Sequence, residues 1–408
     1  MRIIYVTSTL PYGKKEAFVI PEVRELKRRG HEILIVPTFP RGRVLHEDAK
    51  PLMSCVVAKP LLSADIVREA ITQVARNPAK ASGALRRLFE SRSAGVLVRN
   101  LAVYLKGLWL AELARDREAD HIHAHWATVP ATMAFVAGEV SGLPWSVTAH
   151  RFDIAENNLL DIKAKRACFI RAINRRGLRE IVAQVSPEAP VPSLIHMGVA
   201  LPPAKRWQPQ HDNGRITRIV VPANLLEIKG HPYLLKATRL LRDRGVHIHV
   251  DLAGDGPLRT ELESEAEELG LRDRVTFLGV VSHKVLLEGL RTMDWGMLVL
   301  PSIVTDSGEK EGIPVAIIEA MSYRVPVVST MTGGIPELFE GVDDALLLPP
   351  RDPGALADAI ELLIKDPGLR ERLMEAGRRR VEESFDIEKV AAQLAERFEM
   401  CCTYGRTA

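Results

Sequence analysis

Short apolar runs and longer amphipathic stretches alternate along this chain. In the second half the strand-like runs are 216–221, 246–252, 275–278, 295–300, 325–328 and 345–348. Between them lie 231–242, 257–269, 283–291, 314–322 and 353–364, which carry apolar residues at helical spacing. Strands that alternate with helices predict a parallel, doubly wound sheet. The first half repeats the habit less cleanly, with strand candidates at 2–6, 32–36, 54–57, 120–123 and 145–148. Residues 16–30 read as the first crossover helix, closed by Gly30. A Pro-rich, polar stretch without apolar period, ALPPAKRWQPQHDNGR (200–215), reads as a linker between the halves.

The fold class expected is therefore α/β, with two Rossmann-like doubly wound domains facing each other across a cleft. The expected bounds are 1–205 for the first domain and 206–385 for the second, with 386–408 as a helix that crosses back to the first. Ligands should sit where strands run at their C-terminal ends into loops.

Length and composition narrow the class. A chain of 408 residues has room for two cores, and an apolar fraction of 46% is ordinary for a globular protein. A net charge of +3 gives no case for a nucleic-acid partner. Four scattered cysteines with no zinc spacing fit a reducing compartment. The opening MRIIYVTSTLP reads as a strand, and no uninterrupted apolar run reaches bilayer length, so a cytoplasmic location is expected. One segment changes this picture. Residues 63–117 read as helical and basic, with Arg92, Arg99 and Lys106 every seven residues in one stripe, which suits peripheral contact with the inner face of a membrane or with an anionic acceptor. The plainer reading is a solvated helix face.

Candidate chemistry concentrates at strand-to-helix turns. EKEGIPVAIIEAM (309–321) places Glu311 in a loop, Gly312 and Ile313 after it, Pro314 at a helix start and Glu319 in the second turn. A helix start can hold an anion. Carboxylates there suit a ligand that is part phosphate and part hydroxyl-rich sugar, though two solvated glutamates on a surface helix give the same spacing. NLLEIKGHPYLLKA (224–237) sets Lys229 and Gly230 before another helix, where a lysine can neutralise phosphate. TGGIPEL (332–338) offers Gly333 and Gly334 for close backbone approach. LAGDGPLR (252–259) lacks the third glycine of a dinucleotide fingerprint and reads as a tight turn. In the first half, TAHRFDI (148–154) brings His150 and Asp153 to a strand end, and DHIHAHW (120–126) aligns His121, His123 and His125 on one side of an extended strand. Three histidines on one face can bind zinc, but no further ligand has the spacing to support it. The chain has no G-x-S-x-G, P-loop or H-E-x-x-H, which leaves hydrolase, NTPase and zincin chemistry without support.

Taken in order, these segments resemble the family 4 retaining glycosyltransferases of the two-Rossmann GT-B fold. The match is strongest over 295–350, and HAHWA (123–127), TAHRFDI and 14–33 resemble the subgroup that builds bacterial exopolysaccharides, including the colanic-acid type. The resemblance implies transfer of a sugar from a nucleoside-diphosphate sugar to a saccharide or lipid-linked acceptor, without cofactor or required metal. It implies His150, Glu311 and Lys229 as catalytic residues. Lys229, Glu319, Gly312, Ile313, Asp153, Gly333, Gly334 and Asn224 would line the donor site. Glu319 would accept from ribose hydroxyls, and Lys229 would meet the diphosphate. Two departures stand out: Ala223-Asn224 replaces the family's Gly-Arg, and Arg324 replaces its Gly. They keep open a catalytically silent binding subunit. A nucleotide-sugar epimerase of the same fold would share the binding region.

Overall fold

The computed structural model describes residues 1–13, 16–44, 47–203, 217–342 and 346–404. The chain divides into two compact units, Met1–Gly198 with Ile387–Ala408, and Val199–Asp386. Most of the linker stretch, 204–215, and with it the expected 205/206 boundary, lies outside the described residues.

The first unit is built on six strands: β1 (Arg2–Thr7), β2 (Glu32–Pro37), β3 (His121–His125), β4 (Trp145–Ala149), β5 (Ile170–Ala172) and β6 (Ser193–Leu194). They run in the order β2-β1-β3-β4-β5-β6, every neighbouring pair parallel, with Ile3 opposite both Ile33 and His121. Alternation sorts β1 onto two cores. Ile4 and Val6 face helices Ala94–Asp116 and Val129–Ser141, while Ile3 and Tyr5 pack with Phe169 and with Val390, Leu394 and Phe398 of helix Ile387–Tyr404. The expected strand at 54–57 is not one. Residues Glu47–Cys55 form a 3₁₀ helix in which the side chains of Ser54 and Cys55 bond the carbonyls of Pro51 and Leu52. Those local bonds compete with a ladder, and Val56 keeps a single bridge to Ile35.

The second unit has β7 (Arg218–Val221), β8 (His249–Leu252), β9 (Val275–Phe277), β10 (Met297–Leu300), β11 (Val327–Thr330) and β12 (Leu347–Leu348). Their order is β12-β11-β10-β7-β8-β9, again all parallel. The helices His231–Asp243, Arg259–Glu268, His283–Thr292, Val315–Ser322 and Pro353–Lys365 alternate with these strands as the apolar pattern predicts. In each unit the strand order reverses once, between β1 and β3 and between β7 and β10. Such a reversal opens a crevice at the C-terminal strand ends, where open α/β sheets take their ligands.

Residues 63–117 are helical, as Ala64–Arg76, Pro78–Leu88 and Ala94–Asp116. The third is long and apolar enough to cross a membrane by length and composition, yet half of its most apolar window is buried. The basic stripe read from the sequence is not one exposed face. Lys106 is fully buried, and its Nζ donates to the carbonyls of Pro37 and Thr38 at 2.8 Å and of Lys59 at 2.7 Å. Arg99 pairs with Glu156 at 3.3 Å. Spacing of seven placed both cations on one side of the helix, but that side is covered at Lys106.

Burial pushes the Lys106 amine from its ordinary 10.5 down to about 7. A depressed lysine binds fewer protons folded than unfolded between those two values, so folding stability gained from this group rises with pH across that window and is lost as pH falls through about 7. Denaturant titrations from pH 7 to 10 should show wild type gaining on Lys106→Met, by at most about 1.4 kcal/mol per pH unit. Parallel curves for the two proteins would refute the assignment.

Arg324 has φ +56°, the left-handed region in which a glycine carries no Cβ penalty. The turn keeps the backbone shape that glycine favours and accepts the strain. The side chain reaches Glu375, with Nε donating to Oε1 at 2.6 Å.

Candidate functional site

Three loops of the second unit gather at its strand-order reversal. The loop after β7 ends in a single 3₁₀ turn, Glu227–Lys229, followed by Gly230. Gly230 has φ +67°, and a Cβ there would lie 2.0 Å from the carbonyl oxygen of Pro301. The loop after β10 is tied to it, because Ile303 N–H donates to Ile228 O at 2.9 Å. The same loop closes a turn in which Thr305 Oγ1 accepts from Glu309 N–H at 2.9 Å, and Arg351 holds it from outside through Val304 O at 2.9 Å and Asp306 at 2.7 Å. Two residues beyond that turn comes Glu311.

Lys229 and Glu311 therefore come from the two strands that flank the reversal, and they meet. Lys229 Nζ lies 2.5 Å from Glu311 Oε1, with the side chains 19% and 11% exposed. That oxygen has no partner of hydrogen-bond geometry, so the contact is Coulombic. A pair so placed is screened less than a surface pair, and it holds a cation and an anion ready at one point.

The turn after β11 closes on Glu311 from the other side. Gly333 has φ +61°, and a Cβ there would fall 2.0 Å from Glu311 O. Gly334 N–H donates to Gly312 O at 3.1 Å, and Ile313 packs on the unit's core. Helix Val315–Ser322 then starts, with Pro314 as its N-cap. Glu319 sits in its second turn, 8% exposed, and its Oε1 accepts from His283 Nε2 at 2.6 Å. Asn224 is exposed in the loop after β7. Thus Lys229, Glu311, Gly312, Ile313, Glu319, Gly333, Gly334 and Asn224 all belong to the loops and first two helical turns at the C-terminal strand ends of one sheet.

His150 and Asp153 belong to the first unit, at the end of β4. Asp153 accepts from His150 N–H at 3.0 Å and Ala127 N–H at 2.8 Å, which fixes the start of helix Arg151–Glu156 against the turn after β3. Burial raises the Asp153 carboxyl to about 7, against the pull of those N–H groups and of Lys163. Lys163 is itself fully buried and donates to Ala127 O and Thr128 O at 2.8 Å. His150 is 9% exposed, and its Nε2 lies 2.9 Å from His125 Nε2. Burial first, then the neighbouring His125, keeps its imidazole neutral well below the usual range.

The three aligned histidines of β3 do share one side, and each meets protein partners. His121 Nε2 and His123 Nδ1 bond Ser146 at 2.7 and 2.8 Å, His123 Nε2 bonds Thr148 at 3.0 Å, and His125 bonds His150. Among the described residues no group of three or more His, Cys, Asp or Glu side chains is placed to hold a metal.

Sequence reading passed over three residues here. In the sequence His283 reads only as the start of a helix. Trp126 holds φ +121°, a strained backbone for an indole residue, and stacks on His150 with ring centroids 4.4 Å apart. Glu16 is 2% exposed and accepts from Ser8 N–H at 2.9 Å, Leu10 N–H at 2.7 Å and Trp126 Nε1 at 2.5 Å. The position of His283 directly after a serine N-cap is a faint signal in the sequence; φ at Trp126 and the reach of Glu16 leave none.

This is the architecture of the GT-B glycosyltransferases, two parallel α/β sheets of six strands each. HepE from Anabaena, solved in complex with UDP, has a TM-score of 0.70 and 17% identity, covering 98% of this chain and 100% of that one. Residues 203–380 match the family described as Glycosyl transferases group 1. It is similar to the alpha-D-kanosaminyltransferase of Streptomyces kanamyceticus, 33% identical over 167 residues that make up 41% of each chain. It is also similar to the amylovoran biosynthesis glycosyltransferase AmsK of Erwinia amylovora, 34% identical over 182 residues, 45% of this chain and 44% of that one. The matched stretches thus span less than half the length of these relatives.

The Ala223-Asn224 departure gives a direct test. If a second diphosphate cation is missing, Asn224→Arg tightens nucleoside-diphosphate binding by roughly ten-fold or more, the worth of one charge-assisted hydrogen bond. Unchanged affinity in calorimetry would mean that another basic group already fills the role.

Proposed function

We propose that this protein is a retaining glycosyltransferase. It moves a sugar from a nucleoside-diphosphate sugar to a saccharide or lipid-linked acceptor in polysaccharide biosynthesis. The observation that carries the reading is the Lys229–Glu311 pair at the strand-order reversal of the second sheet, with Glu319 close by on the helix that follows. In this reading the incoming diphosphate takes Lys229 as its counter-ion and frees Glu311 to meet the donor sugar. Glu319 accepts from the pentose diol. As the C1–O bond to the diphosphate breaks, negative charge grows on the leaving oxygen, and a fixed cation is worth most there. The acceptor hydroxyl forms the new bond on the face that the leaving group departs, and its proton goes with the diphosphate. Lys229 supplies the charge without a required metal ion. His150, kept neutral by burial beside His125, is the catalytic candidate of the first unit.

AmsK, by its name, works in amylovoran biosynthesis, which supports an exopolysaccharide product here. A cytoplasmic enzyme with a lipid-linked acceptor would work at the inner face of a membrane. Helix Ala64–Arg76 carries Val67, Ile71 and Val74 at 38, 64 and 41% exposure, one stripe at i, i+4 and i+7, beside Arg68. Within residues 63–117, that helix is the part proposed to face a membrane.

Incubation with a panel of nucleoside-diphosphate sugars tests the core of it. At least one donor should release nucleoside diphosphate slowly without acceptor, Glu311→Ala should abolish the release, and the product anomer should match the donor's by NMR. A ligand at a hundred times its Kd should add about 2.7 kcal/mol of stability. Silence and no thermal shift with every common donor would sink the reading. Sedimentation with anionic vesicles tests the membrane part on its own.

A further inference from the structure

We propose that His283 is a positioning residue for the pentose contact, holding the Glu319 carboxylate in the one orientation that can take a vicinal diol. The inference rests on the donor-binding reading above. A carboxylate on a helix has two soft torsions beyond χ1, and its terminal torsion is broad. To accept from two adjacent hydroxyls at once it must present both oxygens at a fixed tilt. Glu319 is 8% exposed, and its Oε1 is already held at 2.6 Å by the Nε2 of His283.

The holder comes from a different element. His283 is the first residue of helix His283–Thr292, after β9, while Glu319 follows β10. Ser282 fixes that helix start, its Oγ accepting from Val285 N–H at 3.3 Å. The imidazole is thus anchored from below by a capped turn and presents one ring nitrogen to the carboxylate. With Nε2–H as donor, Oε1 keeps one lone pair for a hydroxyl. The carboxylate is then tuned for ribose: the loss of either hydroxyl leaves a buried charged acceptor short of a partner, which is costly.

His283 is 45% exposed at its side chain, so its replacement should leave the fold intact. The test is calorimetry with UDP, ADP and GDP and their 2′-deoxy counterparts, on wild type, His283→Ala, His283→Gln, Glu319→Gln and the double variant His283→Ala with Glu319→Gln. For the nucleotide that binds wild type, His283→Ala should weaken the ribo form about ten-fold or more, as loss of a charge-assisted hydrogen bond would. It should also shrink the preference for ribo over deoxy. His283→Gln, whose amide can donate in the same direction, should restore most of both. The effect of His283→Ala should vanish in the Glu319→Gln background. Equal discrimination in wild type and His283→Ala, or an undiminished His283→Ala effect without the carboxylate, overturns this proposal alone. Failure of wild type to bind any of these nucleotides overturns it together with the donor-binding reading.

Discussion

If this chain transfers sugar as proposed, Lys229→Ala should lower kcat by about 10²–10³-fold, the loss found when one preorganised donor is removed from a developing anion. KM for the donor should rise as well, because in that reading the same amine serves the ground-state diphosphate. The pairing with Glu311 shapes the rest of the expectation. In the unliganded protein Lys229 and Glu311 neutralise each other at 2.5 Å, both largely withdrawn from water. Taking away Lys229 leaves a carboxylate without its cation in the place meant for phosphate, so donor and protein repel. Lys229→Met with Glu311→Gln removes both charges and should recover nucleoside-diphosphate affinity relative to Lys229→Ala, while turnover stays lost. Isothermal titration for binding and product release for turnover separate the two. A Lys229→Ala protein that keeps wild-type kcat would remove this pair from the chemistry.

The second large effect is structural. Gly333→Ala should abolish donor binding and destabilise the second unit by about 2–4 kcal/mol. Two independent costs add. The left-handed backbone at φ +61° costs an alanine about 1–2 kcal/mol. The new Cβ would also stand 2.0 Å from Glu311 O, which is backbone and cannot swing aside as a side chain would. Either the turn after β11 retreats or the Glu311–Gly312 segment moves, and the bond from Gly334 N–H to Gly312 O breaks with it. Gly312→Ala is the control, since a Cβ there meets nothing within 4 Å. Thermal midpoints and nucleotide titrations on both variants decide the matter. Equal behaviour of the two would mean that backbone crowding at Gly333 does not hold the loop.

The second unit was more legible than the first, for a physical reason. The crossovers from β7 through to β11 each place one α-helix between two strands, so the apolar period switches at those boundaries. Glu311, Glu319 and Lys229 could be placed because Pro314 and Gly230 mark helix starts that owe little to tertiary context. In the first unit the strands at 170–172 and 193–194 are three and two residues long, too short to display any period. The mistaken strand at 54–57 was β-branched at Val56 and Val57, but local side-chain bonds around Pro51 set its course. Lys106 misled in the opposite sense. A lysine in a basic run reads as solvated, and only tertiary packing shows three carbonyls waiting for it. The sequence sets Lys229 and Glu311 in two separate strand-to-helix loops and does not show that they meet, and the His283–Glu319 bond depends on the register of two helices that no spacing encodes.

Helix Ile387–Tyr404 has a consequence for how the chain is made. It packs on Ile3, Tyr5 and Phe169, yet the whole second unit is threaded between Gly198 and Ile387. During synthesis the later-encoded unit has all its parts first. The earlier-encoded one leaves the ribosome with one face of its sheet bare and must wait for Val390, Leu394 and Phe398 before that face is covered. Truncation at residue 386 should therefore yield a sticky, chaperone-bound product whose defect lies at the opposite end of the polypeptide from the cut.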